Sequence, residues 1–165
     1  MTGERLKIAA SRWVESDAAG IPTGRLAPVA GTPLDFRQAH AIGERIDAKT
    51  SIMPAHGGYN HAWVFDRPAG AAAQPVIWLS DPGSGRMLTV STSEPSVQVY
   101  TGDYIDGKDV GPTGKTIHPR DGVALETQHL ADSPNRPAFP STLLRPGQVF
   151  HSTTVWRFGV TAPNR

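Results

Sequence analysis

Proline and glycine interrupt this chain too often for it to hold long helices. There are 17 glycines and 15 prolines among 165 residues, nearly one residue in five, against roughly 12% in average usage. Proline lacks the backbone donor that a helix needs, and glycine loses more conformational freedom than any other residue when ordered. Such punctuation leaves room for short strands joined by turns, so an all-β chain is expected. The best helical candidate, Gln38 to Ile46, is short and broken by Gly43. A length near ~150 residues suits one domain that buries roughly 70% of its unfolded surface. With no internal repeat, low-complexity tract or linker, a single domain over residues 1–165 is expected.

Alternation locates the strands. Leu6, Ile8 and Ala10 alternate with Lys7 and Ala9, as in a strand that begins almost at Met1. Val76 to Leu79 is a compact apolar run, Asp81-Pro82-Gly83-Ser84-Gly85 is a turn, and Met87 to Thr92 resumes an extended pattern. These three segments read as a β-hairpin with a loop of about five residues. Val97, Val99 and Thr101 alternate with Gln98 and Tyr100, and Val123, Leu125 and Thr127 alternate with Ala124, Glu126 and Gln128. Successive side chains of a strand point to opposite faces, so Gln98 and Glu126 should leave the apolar faces of their strands. In the last strand Phe150, Ser152, Thr154, Trp156, Phe158 and Val160 share a face, which assigns Trp156 to the core, and the tail from Thr161 to Arg165 is expected to fray. Gly20 to Pro33, Met53 to Tyr59, Gly107 to Asp121 and Asp132 to Pro140 read as loops, where binding groups usually sit.

Charge and cysteine usage exclude several classes. Sixteen Lys and Arg against 15 Asp and Glu give a net charge of +1, which does not make a nucleic-acid or membrane surface out of bulk electrostatics. There is no cysteine, hence no disulfide framework and no thiolate metal site, and a cytoplasmic setting is expected. No run of about 18 apolar residues suggests a membrane span, and the first 17 residues lack the apolar stretch of an export signal. His56 and His61 bracket Gly57 to Asn60, and His129 follows Glu126 by three, but no His, Asp and Glu cluster has recognised metal-ligand spacing. The glycine-rich stretches lack the GxxxxGK[ST] pattern, and no serine sits in a nucleophile elbow. Glu126 remains the first candidate for chemistry, because a strand holds a carboxylate in a fixed direction for accepting a proton. Its spacing equally suits an ordinary solvent-facing glutamate. Trp13, Trp63 and Trp78 are left open between core packing and stacking on sugar rings.

Longer strings carry more. Ile21-Pro22-Thr23-Gly24, Pro28 to Phe36, Gly58-Tyr59-Asn60-His61 and Asp81-Pro82 with Ser84-Gly85-Arg86 occur in one order along the chain. They are followed by Gln98-Val99-Tyr100-Thr101-Gly102, Glu126-Thr127-Gln128-His129, Asp132-Ser133-Pro134-Asn135, Phe139-Pro140-Ser141-Thr142 and Leu144-Arg145-Pro146-Gly147. In order and spacing this series resembles the aldose 1-epimerase (galactose mutarotase) family from about Ile8 to Val160.

The resemblance implies an antiparallel β-sandwich, part of a larger supersandwich, with an open sugar cleft. It implies an isomerase that interconverts the α and β anomers of an aldohexose such as galactose or glucose by acid–base ring opening, with no cofactor. By motif, Glu126 matches the catalytic base and Gln98 a sugar-contacting glutamine, while Asn60 stands where the family has an aspartate that hydrogen-bonds sugar hydroxyls. The chain resembles only the C-terminal half of the family. The string Asn-His-x-Tyr-Phe-Asn-Leu, which holds the family's acidic histidine, does not occur in it. Impaired catalysis, and self-association or pairing with a separate N-terminal half, are therefore expected. His61 and His129 are the substitutes for the acid that the sequence offers. The alternative is a non-catalytic carbohydrate-binding or structural domain, or a truncated remnant. A relative acting on hexose 6-phosphates would need cations near Glu126, and only Arg120 and Arg136 are close in sequence.

Overall fold

The computed structural model describes residues 1–54 and 57–161. His56 and residues 162–165 lie outside this range. Ten strands follow in order: β1 (Arg5–Ile8), β2 (Arg12–Ser16), β3 (Pro22–Pro28), β4 (His40–Ala41), β5 (Asn60–Val64), β6 (Gln74–Ser80), β7 (Arg86–Thr92), β8 (Ser96–Tyr100), β9 (Ala124–Gln128) and β10 (Thr154–Val160). Two short 3₁₀ turns, Ile42–Glu44 and Ser133–Asn135, are the helical segments among the described residues. The best helical candidate, Gln38 to Ile46, holds strand β4 followed by the first of these turns. Gly43 packs against the chain start, where a Cβ would stand 2.8 Å from Thr2 Cβ and 2.9 Å from the Thr2 carbonyl oxygen.

The strands form two five-stranded antiparallel sheets, ordered β10-β7-β6-β1-β4 and β3-β2-β5-β8-β9. The β6–β7 hairpin closes on Asp81, whose carboxylate accepts from the backbone N–H groups of Gly83 (3.0 Å) and Ser84 (3.2 Å). Gly85 takes φ +72° there, and a Cβ on it would lie 2.9 Å from the Thr161 carbonyl oxygen. Thr161 itself is tied down, its N–H donating to Gly85 O at 2.8 Å. Between the layers sit Leu6, Ile8, Ile77 and Val90 from one sheet and Trp13, Trp63, Val97, Val99 and Leu125 from the other. Phe36, Tyr59 and Trp63 meet edge to face, with ring centroids 5.4 to 6.2 Å apart. The Trp63 indole donates to Leu34 O at 2.8 Å, so its polar edge is satisfied in the interior.

Two features depart from the sequence reading. The stretch Gly20 to Pro33, read as a loop, contains the seven-residue strand β3. Its prolines fall at the two ends of an edge strand, where a missing donor is tolerated. Trp156, assigned to the core, is 46% exposed, and Phe158 is 74% exposed. The face assignment itself stands, because Trp156 lies opposite Val90 and Phe158 opposite Leu88, and residues opposite each other share a face. What is missing is a cover. β10 is the terminal strand of one sheet and β9 of the other. These edges touch through a threonine bridge, Thr92 Oγ1 to Thr154 Oγ1 at 2.8 Å and Thr154 Oγ1 to Thr127 Oγ1 at 2.9 Å. Beyond the bridge, no second layer among the described residues lies over the inner face of β10.

Candidate active site

The outer face of the second sheet builds the site. Part of that face is covered: the chain doubles back after β9, and Leu130 and Phe139 pack on Val14, Ala62 and Val64. The uncovered part carries Asn60 on β5, Gln98 on β8 and Glu126 on β9. Gln98 lies directly opposite both Ala62 and Glu126, while Asn60 lies opposite Tyr100. The Gln98 amide donates to Asn60 Oδ1 at 2.6 Å. All three side chains line one cavity of about 350 Å³, together with His61, Tyr104 and Gln128. The Glu126 side chain makes no hydrogen bond or ion pair among the described residues, which leaves both oxygens available to a ligand. An adjoining cavity of about 490 Å³ shares Asn60, His61 and Tyr104 and extends toward Trp13, Asp17 and Met53.

His61 borders Glu126's cavity but is committed elsewhere. Its Nδ1 accepts the Asn60 backbone N–H at 3.1 Å, and its Nε2–H donates to Ile52 O at 2.8 Å. That pair of partners requires the neutral ring with its proton on Nε2. Burial pushes the pKa of His61 down, opposed in part by the Ile52 bond. His129 faces away from the cleft: its Nδ1 meets Glu94 Oε2 at 2.8 Å, and it borders a different cavity of about 590 Å³ with Leu144, Val149 and Phe150. Neither histidine stands as a proton donor opposite Glu126. The candidate His56 lies outside the described residues.

The nearby cations are engaged as well. Arg120 donates to Asp103 Oδ1 (2.6 Å) through Nε and grips both oxygens of Asp47 (2.6 and 3.0 Å) with its terminal nitrogens. This guanidinium holds the Asp47 carboxyl below the usual carboxylate range. Arg136 bonds Asp132 Oδ2 at 2.8 Å and Pro22 O at 2.5 Å. A phosphate at the cleft would therefore compete with carboxylates already in place.

Sequence reasoning missed Tyr104. Its ring stacks on Tyr100, with centroids 5.9 Å apart and planes 30° apart, and its backbone N–H donates to the Tyr100 hydroxyl at 3.0 Å. The available signal was two tyrosines four apart around Gly102, which takes φ +77° and turns the chain back toward the sheet. Of the tryptophans left open, Trp63 and Trp13 are buried in the core, and the Lys7 ammonium lies over the Trp78 ring at 5.0 Å.

Comparison with known proteins gives a consistent picture. A profile of the family described as aldose 1-epimerase matches residues 1–157. The chain is 36% identical over 154 residues to the galactose mutarotase of Mus musculus, covering 93% of this chain and 43% of that protein. It is 34% identical over 159 residues to the aldose 1-epimerase of Escherichia coli (strain K12), covering 93% and 44%. In fold it is similar to a GalM/aldose epimerase homologue from C. elegans, with a TM-score of 0.82 at 24% identity over 98% of this chain and 47% of that one. It is similar too to a galactose 1-epimerase from Lactobacillus acidophilus NCFM, with a TM-score of 0.70 at 23% identity over 98% and 45%. The chain spans less than half the length of each of these proteins.

Proposed function

The chain belongs to the aldose 1-epimerase family, and on that premise we propose that its cleft binds an aldohexose and supplies the base that interconverts its α and β anomers. The observation that carries the reading is the convergence of Glu126, Gln98 and Asn60 on one monosaccharide-sized hollow, with the carboxylate unpaired among the described residues. Glu126 takes the proton of the anomeric hydroxyl as the bond between the anomeric carbon and the ring oxygen breaks. An acid delivers a proton to that ring oxygen, the aldehyde end turns about its bond to the next carbon, and closure on the other face returns both protons. Gln98 and Asn60 hold ring hydroxyls so that the anomeric carbon stays over Glu126. An amide at position 60 forms a weaker bond than the family's carboxylate would, by about 1 kcal/mol.

Among the described residues no acid stands opposite Glu126. Since His61 and His129 are both occupied, we assign the acid to the share of the fold that the relatives carry beyond the matched region. The open inner face of β10 supports the same assignment, because Trp156 and Phe158 need the cover that a further part of the sandwich would give. Each acid or base contributes about 10²–10⁴-fold in rate, so this chain alone is expected to be slow. Polarimetry on freshly dissolved α-glucose and α-galactose tests the reading. Acceleration that disappears in Glu126→Gln supports it, and a rate identical with and without the native chain argues against catalysis by the chain alone. Saturable sugar binding without acceleration would favour the second reading, a carbohydrate-binding domain that kept the cleft but lacks an acid.

A further inference from the structure

We propose that Glu94, a buried glutamate outside the cleft, is a positioning residue that aims Glu126 by holding His129 at the end of β9. This deepens the reading of Glu126 as the base and rests on it. Among the described residues β9 is the last strand of its sheet and pairs on one side only, with β8. The ladder ends at Gln128, two residues beyond Glu126. Unbraced strand ends open locally at little cost, and a catalytic group displaced by about 1 Å can lose about 10²-fold in rate. Here the three residues after Glu126 are each tied down by a side chain. Thr127 Oγ1 meets Thr154 Oγ1 at 2.9 Å, and Thr154 Oγ1 meets Thr92 Oγ1 at 2.8 Å. The Ser96 hydroxyl donates to Gln128 O at 2.6 Å. His129 Nδ1–H donates to Glu94 Oε2 at 2.8 Å. All three ties lead back to residues 92–96, where the chain passes from β7 to β8.

That connection is a fixed support. Ser93 N–H donates to Thr153 O at 2.9 Å, and Phe65 N–H donates to Pro95 O at 3.0 Å. Glu94 is held at both of its backbone groups. Its N–H donates to Thr92 Oγ1 at 3.1 Å, and its carbonyl accepts from Arg67 Nη2 at 2.5 Å. Glu94 is 6% exposed, and burying a carboxylate is costly unless a partner offsets it. Among the described residues His129 is that partner. A neutral side chain would fill the same space without the cost. What the carboxylate adds is a directed, charge-assisted bond to the residue that ends the strand, three positions from Glu126.

Polarimetry on freshly dissolved α-glucose, with kcat and KM determined separately, tests the role in the native chain, Glu94→Ala, Glu94→Gln and His129→Asn, with urea unfolding to confirm that each is folded. Glu94→Gln keeps an acceptor, and His129→Asn keeps a donor where Nδ1 stood. Glu94→Ala is expected to lower kcat about tenfold or more and to leave KM within about twofold, because Gln98 and Asn60 stay on β8 and β5. Both conservative variants should recover to within about threefold of the native kcat. In the Glu126→Gln background, Glu94→Ala should have no further effect. Where Glu94→Ala does not fold, His129→Ala combined with Glu94→Gln repeats the test without stranding a charge. A native kcat in a folded variant that lacks the bond overturns the proposal, and so does a loss carried by KM alone. A native chain that gives no acceleration sinks the catalytic reading, and amide hydrogen exchange then judges the tie by itself. Exchange at least about tenfold faster across residues 126–129 in Glu94→Ala, with β5 unchanged, upholds it, and unchanged exchange overturns it.

Discussion

His61 illustrates how a residue can sit at a cleft and still be unavailable for its chemistry. Both ring nitrogens are spent, one on the backbone of Asn60 and one on Ile52, so its work is to hold the strand start that aims Asn60. It is also a source of acid sensitivity. Burial keeps its pKa below the ordinary value, so as the pH falls the unfolded chain takes up this proton first, near the usual ~6.5. The stability it contributes is complete above that pH and is lost as the pH falls toward the lower folded pKa, at no more than about 1.4 kcal/mol per pH unit. Urea unfolding between pH 7.5 and 5 should therefore show a steeper loss for the native chain than for His61→Gln, whose amide can make both bonds without titrating. Equal slopes would contradict the role. At this scale the sequence was informative where period two applies: Gln98 and Glu126 do leave the apolar faces of β8 and β9. It was silent on the Gln98–Asn60 bond, which depends on β5 and β8 being neighbours across 38 positions. It was equally silent on Tyr104, which only a folded loop returns to the cleft.

Arg120 fastens elements together. It joins Asp47, before the Gly57-Gly58 turn, to Asp103, just after β8. Asp103 also accepts the Thr101 hydroxyl, and Thr101 Oγ1 accepts the Tyr59 N–H at 2.8 Å, so the clamp reaches the start of β5 and hence Asn60. The fit is close: Gly58 has φ +84°, and a Cβ there would fall 1.9 Å from Asp103 Oδ2. Arg120→Ala leaves the nearly buried Asp103 carboxylate without its cation and should cost about 1–3 kcal/mol, read as a lower urea midpoint. Gly58→Ala should destabilise by at least about 1 kcal/mol. Midpoints within error of the native chain would show that the clamp is solvent-screened and idle. Element recognition from sequence worked for the β6–β7 hairpin, where alternation and turn chemistry agree. It failed for β3, where prolines and glycine masked a strand that survives because its outer edge has no neighbour to hydrogen-bond.

Among the described residues the molecule is a sandwich with one side left open. The pattern of β10 identified the correct inner face, but no single strand records whether a layer lies over it, which is why Trp156 was misassigned. Leu143, Leu144, Val149 and Phe150 are exposed as well, and an apolar expanse ending in a free strand edge favours association. Light scattering should give a mass above 17.6 kDa that rises with concentration. Trp156→Glu combined with Phe158→Glu should bring it down toward the single-chain value. Addition of a separately produced N-terminal half of a family member should replace self-association with a one-to-one complex, and a monodisperse native chain would contradict the account of the open side. The same exposure makes the protein its own optical reporter. Trp13 and Trp63 are sealed inside, whereas the Trp156 indole faces solvent. Any molecule that closes over β10 should shift its fluorescence to the blue, so docking at this lip can be followed in real time without attaching a dye.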